Sequence, residues 1–509
     1  MNRFRERSPL WDKKLVIFGT GDASRRLVPL LPSAIAYYVD NAAAQWGQRI
    51  DGCPVQPPAK LLEEERDELA VLVASSYYDE ISAQLCSMGF TEHIHFFRGE
   101  QVALHLFQAL IEERHARACL QKREVTEATG EAEGVSGSVV ERIAVGGERV
   151  EGGNGGKGEQ KKRILFVRVD AIGDSILWLD SIRGYLALYS PDRHEYLLAC
   201  NEASVDLWQS TGYFRKIIPV NRKRFLVDKA YLTDTLDGIA ALAADVAIQP
   251  TYSREFRCGD AIVYASGAVE RIGWDGDGAN LTAEERRISD HWYTRLIAAT
   301  EPALMELERN AAFVRALGLP EHQAAIPKWP LPLETVEGRP YFIIFPGAGN
   351  RRRCWPIDRF AAIARRLHEE SGWDCCLCGG PGEEELGHAF LDQAGGGMAV
   401  TNLIGKLSLS ELANWIHGAK LVISNETSAV HMAAAVATTS LCLLGGGHFG
   451  RFVPYTAPGE HPPISVYHRM DCFDCNWTCR FALKGDQPWP CIEGISEADL
   501  WQRIAALLP

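Results

Sequence analysis

Residues 164–177 read ILFVRVDAIGDSIL, and the fold class follows from this stretch. Ile164 to Val169 is the apolar run of a buried strand, and Ser175 to Tyr189 sets Ile176, Leu179, Ile182 and Leu186 on one helical face. Gly173 and Asp174 fall in the loop expected between them. Strand, short loop and helix in that order are the unit of a parallel α/β sheet.

The unit recurs twice downstream. Tyr341 to Phe345 reads as a strand, residues 345–356 (FPGAGNRRRCWP) as its loop, and Pro356 suits the first turn of a helix striped by Phe360, Ile363, Ala364 and Leu367. Leu421 to Ile423 is the third strand; residues 423–434 (ISNETSAVHMAA) carry its loop and a helix of small residues. Ligands of open α/β sheets bind outside the carboxyl ends of the strands, so these three loops are where a site is expected.

Outward from these units the chain divides. A length of 509 residues suggests about three compact units. Residues 11–120 read as a small Rossmann-like accessory domain: strand Leu15 to Phe18, turn Gly19-Thr20-Gly21, and further strands at Ala36 to Val39 and Ala70 to Ala74. Residues 121–162, rich in Gly, Glu and Lys, are expected to be a flexible linker separating independently folded parts. Residues 163–330 and 335–509 are the expected halves of a catalytic part, hinged at the Pro-rich stretch 327–340.

A hydrophobic fraction of 46% is that of a soluble globular protein, and a net charge of −13 argues against nucleic acid as partner. No run suits a membrane span, and residues 1–14 are too charged for a signal peptide, so the cytoplasm is the expected compartment. The 14 cysteines, in a chain with no export signal, then read as thiols or metal ligands instead of a disulfide framework.

Glycosyl transfer with inversion needs a carboxylate to take the acceptor proton and a cationic or dipolar cradle for the departing diphosphate. Asp174 can be that base or a helix N-cap. Gly347, Arg351 and Arg353 lie in a glycine loop before a helix, an arrangement that favours an anion, although consecutive arginines point in different directions. Glu426, Thr427 and Ser428 precede the third helix and can hold a nucleotide or cap the helix; His431 follows one turn later, as a cleft or a core residue.

Taken in order, the three stretches resemble the bacterial heptosyltransferases, glycosyltransferase family nine, over about residues 163–508. That resemblance implies a GT-B fold, two Rossmann-like halves facing a cleft, preceded here by the separate N-terminal Rossmann-like domain. It implies inverting transfer without a catalytic metal, from a nucleotide-sugar donor such as ADP-heptose to a glycan, of lipopolysaccharide type, or a protein hydroxyl. By position Asp174 matches the family's base, and Glu426, Thr427, Ser428 and His431 its donor loop. Arg353 stands where a Lys is common, and Glu426-Thr427-Ser428 where Asp-Thr-Gly is common, which opens the identity of the sugar.

Cys472, Cys475, Cys479 and Cys491 are spaced C-x2-C-x3-C-x11-C. Such a set suits a structural zinc or iron, as in the iron-binding autotransporter heptosyltransferases, or is four thiols packed around Trp477 and Trp489. Gly19, Gly21 and Ser24 with Asp40 form a weak dinucleotide fingerprint, open to a nucleotide-sugar sensor, a docking module or an empty scaffold. An alternative for the whole chain is a catalytically inactive sugar-nucleotide-binding protein, and the association state is open to an oligomer.

Overall fold

The computed structural model describes residues 9–129, 161–299, 304–334 and 336–508. These residues form three six-stranded sheets. The first runs in the order Arg49–Ile50, Cys53–Gln56, Ile35–Val39, β1 (Lys14–Phe18), Leu69–Val73, Phe96–Arg98, and is parallel except for the Arg49–Ile50 edge. Wholly parallel sheets need both faces covered, hence strands without alternation. All five residues of Leu69–Val73 are buried, as are all five of the strand Tyr341–Phe345.

In the second sheet β2 (Lys162–Arg168) lies between His194–Asn201 and Val246–Gln249, with Lys216–Val220 on one edge and Glu270–Trp274 then Arg295–Ile297 on the other. The third repeats this plan: β3 (Tyr341–Phe345) lies between Asp374–Leu377 and β4 (Leu421–Asn425), and the sheet ends at Val400–Asn402 and Ile464–Val466. Numbered by sequence, each has the order 3-2-1-4-5-6, whose direction reverses between its first and fourth strands. A crevice opens at that reversal. The loops after β2, β3 and β4 therefore sit at crevices by topology alone.

The N-terminal unit is joined to the second sheet by α1 (Gly99–Thr129), a helix of 31 residues. One face, with Val102, Ala103 and Leu106, packs in the core of the first sheet. The other, with Leu104, Phe107 and Ile111, belongs to the same apolar cluster as Leu165, Val167, Phe256 and Ala261. Phe107 meets Phe256 at 5.5 Å between ring centroids, and His115 stacks on Tyr264 at 3.9 Å while donating to its carbonyl at 2.7 Å. Arg114 pairs with Asp237, and Lys122 with Asp245 at 3.8 Å. Gly267 makes room for the helix, since a Cβ there would come within 2.7 Å of the Ala118 methyl.

This corrects the expected linker at its start. The helix passes residue 120 and runs to Thr129, because Gln121, Lys122, Arg123 and Glu124 are good helix formers and Lys122 finds a partner. The N-terminal unit is also packed against the following half instead of being separated from it. Residues 130–160, the rest of that expectation, lie outside the described residues. In the Pro-rich stretch Trp329 is buried and its backbone N–H donates to Ala435 at 2.9 Å. Among the described residues no helix is long and apolar enough to cross a membrane.

Because Phe107 is buried in the shared cluster, Phe107→Ala should cost about 3–5 kcal/mol. Chemical denaturation should show the loss in the tryptophan signal of the second sheet. An unchanged midpoint there would mean that the two units are uncoupled.

Candidate active site

Asp174 is the third residue of α2 (Ile172–Trp178), so the helix begins three residues earlier than the glycine in the sequence suggested. Its carboxylate accepts the Ala171 N–H at 3.2 Å and its carbonyl accepts from Arg168 at 3.1 Å. Asp174 thus closes the first helical turn and still presents its side chain, which is 18% exposed, at the cleft. Capping and catalysis are not exclusive here.

Arg168, at the end of β2, is fully buried. It faces three carboxylates, Asp170 at 3.0 Å, Glu306 at 3.3 Å and Asp174 at 3.9 Å, and its other arm donates to Asn310 at 3.5 Å. Asp170 also accepts from the Thr251 hydroxyl at 3.0 Å. One cation cannot neutralise three anions, and burial disfavours charge on each. Burial, followed by the charge on Asp170, pushes the Asp174 carboxyl up to about 7, with Arg168 and Arg451 opposing. The Asp170 carboxyl is raised as well, mainly by burial.

From the other half, α4 (Ser428–Ala435) brings the third loop to the same place; α3 (Ile357–Ser371) follows the second. A Cβ on Gly173 would lie 3.1 Å from the His431 ring and 3.6 Å from the Ser428 Cα, so the two halves touch beside Asp174. His431 is 4% exposed, bonded through Nδ1 to the Tyr455 hydroxyl at 2.8 Å and stacked on its ring. Burial pulls its pKa down to about 3, leaving a neutral imidazole. Thr427 is the N-cap of α4, its hydroxyl accepting from Ala429 at 3.3 Å.

Glu426 is 6% exposed and pairs with Arg353 at 3.3 Å, while its carbonyl accepts from the same guanidinium at 2.9 Å. Its second carboxylate oxygen has no hydrogen-bond partner. Burial raises the Glu426 carboxyl to about 7 against the pull of Arg353. Of the arginine run, only Arg353 turns into this site. Arg351 pairs with exposed Glu385 at 2.8 Å, and Arg352 donates to the Gly485 carbonyl at 2.9 Å. Gly347 lies over the Glu383 carboxylate, where a Cβ would come within 2.1 Å.

Three contributors have only faint sequence signals. Asn425, fully buried at the end of β4, donates to the carbonyls of Pro346 and Gly347 and accepts from Trp355 N–H at 3.0 Å, fastening the second loop to the third. Arg168 stands inside an apolar strand run, a position that calls for a buried partner. Arg451, in the loop after the fifth strand of the third sheet, donates to Ser253 at 2.9 Å and lies 4.0 Å from Asp277. Its carbonyl accepts the Glu306 N–H at 2.7 Å, tying the halves together.

The cysteines Cys472, Cys475, Cys479 and Cys491 line one cavity of about 250 Å³ with Phe473, Trp477 and Trp489. A soft metal would suit four thiolates. Among the described residues, however, no three His, Cys, Asp or Glu side chains converge to hold an ion. The thiols share a wall without closing on a point.

Residues 260–472 match the model of glycosyltransferase family 9 (heptosyltransferase), and residues 11–94 match that of C2185-like, N-terminal. Over residues 260–472 the chain is similar to the glycosyltransferase family 9 (heptosyltransferase) domain. The match spans the second and third loops and ends at Cys472; Asp174 lies upstream of it. An Escherichia coli lipopolysaccharide heptosyltransferase 3 is 33% identical over 111 residues, 21% of this chain and 32% of that one. The chain thus matches 32% to 40% of the length of such curated relatives.

Two solved structures share the fold. A glycosyl transferase family 9 protein from Veillonella parvula has a TM-score of 0.52 at 16% identity, covering 69% of this chain and 98% of its own. The E. coli heptosyltransferase WaaC with ADP-2-deoxy-2-fluoro heptose has 0.50 at 19%, covering 68% and 99%. The fold they share is of the GT-B kind, two Rossmann-like sheets, here the second and third, whose loops meet where Gly173 touches His431.

A carboxyl raised in the folded state binds its proton more tightly there than in the unfolded chain, so stability falls as pH climbs from about 4 through about 7. Asp174→Asn removes that ionisation. Its thermal midpoint should exceed the parent's at about pH 8, and the gain should vanish toward about pH 4. An equal difference at both would show that the ionisation of Asp174 carries no folding cost.

Proposed function

We propose that the chain is an inverting glycosyltransferase that moves a heptose or related sugar from a nucleoside diphosphate to a hydroxyl of a glycan or a protein, in the cytoplasm. The reading rests on one observation. Asp174 of one half and the Arg353, Glu426 and His431 group of the other face one cleft where the halves touch. A base and a cation-lined anion site on opposite walls are what displacement at a sugar carbon requires.

The ionised Asp174 takes the proton of the acceptor hydroxyl as its oxygen bonds to the anomeric carbon. The bond from that carbon to the diphosphate oxygen breaks, and the electron pair leaves with the diphosphate. Arg353, Arg451 and the amino end of α4 stabilise that charge, the helix through its dipole. Glu426, with one carboxylate oxygen unpartnered, accepts from hydroxyls of the donor. Neutral His431 orients the donor by hydrogen bonding without adding charge to the cleft. The ADP-linked sugar in the WaaC structure makes ADP the first nucleotide to try.

Native mass spectrometry and calorimetry against ADP-, GDP- and UDP-sugars test this reading. One donor should bind, and Glu426→Ala should weaken it about tenfold or more, the scale of losing a hydrogen bond to a charged group. Binding of none by the parent chain would remove the reading.

A further inference from the structure

The cysteine loop reaches Arg353 of the proposed donor site through the side chain of Trp477. The Trp477 ring lies under the Arg353 guanidinium, 4.6 Å from its centroid. Arg353 has three anchors: the Glu426 carboxylate, the Glu426 carbonyl and this ring. The first two pull it toward the third loop. The ring supports it from the opposite element, so the guanidinium is held between two parts of the chain.

Trp477 is itself fixed on every side. It stacks on Trp489 at 4.6 Å and 20°, and its Nε1 donates to His448 Nδ1 at 3.1 Å. His448 therefore carries its proton on Nε2, which donates to Asn476 at 2.7 Å. Gly445 and Gly447 clear space for the indole, since a Cβ on either would lie within 2.6 Å and 2.1 Å of it. Trp477, with φ of +59°, and its neighbours Asn476 and Asp474 adopt left-handed backbone that non-glycine residues rarely take. The N–H groups of Asp474 and Asn476 secure the loop by donating to Gly446 and Gly447 at 2.8 and 3.0 Å. Strain of this kind persists only where surrounding structure overdetermines it.

We infer that Trp477 is a positioning residue of the donor site: it holds Arg353 where the diphosphate is to bind, and the cysteine loop is the scaffold that presents it. The inference rests on the donor-site reading above. The four cysteines then matter to transfer through the place of one indole, whatever they bind.

The test measures ADP affinity by calorimetry in four full-length proteins: the parent, Trp477→Leu, Arg353→Gln and the double variant. Trp477→Leu should weaken ADP roughly tenfold, the upper scale of a partly desolvated cation–π contact. Trp477→Phe, which keeps a ring face, should stay within about threefold. In the Arg353→Gln background the Leu substitution should add nothing, because its effect passes through Arg353. Equal affinity of parent and Trp477→Leu overturns the inference, as does an equal loss in both backgrounds, which would make Trp477 merely structural. If the parent binds no ADP, the ADP-site reading falls and this inference with it, a result distinct from the other two.

Discussion

The buried guanidinium of Arg168 is the constraint on which the site depends. A cation at the end of an interior strand is tolerated only if anions and hydrogen-bond acceptors surround it. Asp170, Asp174 and Glu306 come from two segments 132 to 136 residues apart by their numbers, and all answer to it. Through the carbonyl of Asp174 it fixes the first turn of α2, and Glu306 passes the restraint to Arg451 in the other half. Burial first, and then the excess of carboxylates over cations, leaves Asp174 poised near neutrality and able to exchange a proton.

Against that anchored wall the opposite half sets a less charged one. Glu426 and Arg353 compensate each other, His431 is neutral, and Asn425 binds the two loops that carry them. The absence of a side chain at Gly173 lets the walls meet. A methyl there would press on the His431 ring and part Asp174 from the loop of Glu426, Thr427 and Ser428. N-terminal to all this, α1 fills an apolar face of the half that holds Asp174, so the first domain is built into that half's core.

The order and place of the three loops were legible because a 3-2-1-4-5-6 parallel sheet leaves no other position for them. Tyr341–Phe345 is bounded as its apolar run suggests. The helix start at Ile172 was hidden by Gly173, which reads as a breaker while its real use is a close approach. The end of α1 was hidden because a charged helical turn held by Lys122 has no apolar stripe. The partners of Arg168 and Arg353, and the outward turn of Arg351, depend on contacts far apart in sequence, for which local pattern carries no signal.

The central claim is that Asp174 is the base of a sugar transfer whose donor is held by the other half. The most direct measurement is release of nucleoside diphosphate from the bound donor by the parent and by Asp174→Asn, with donor affinity measured on the same samples. The account predicts loss of turnover by about a hundredfold or more with donor affinity nearly unchanged. Full turnover in Asp174→Asn would contradict it.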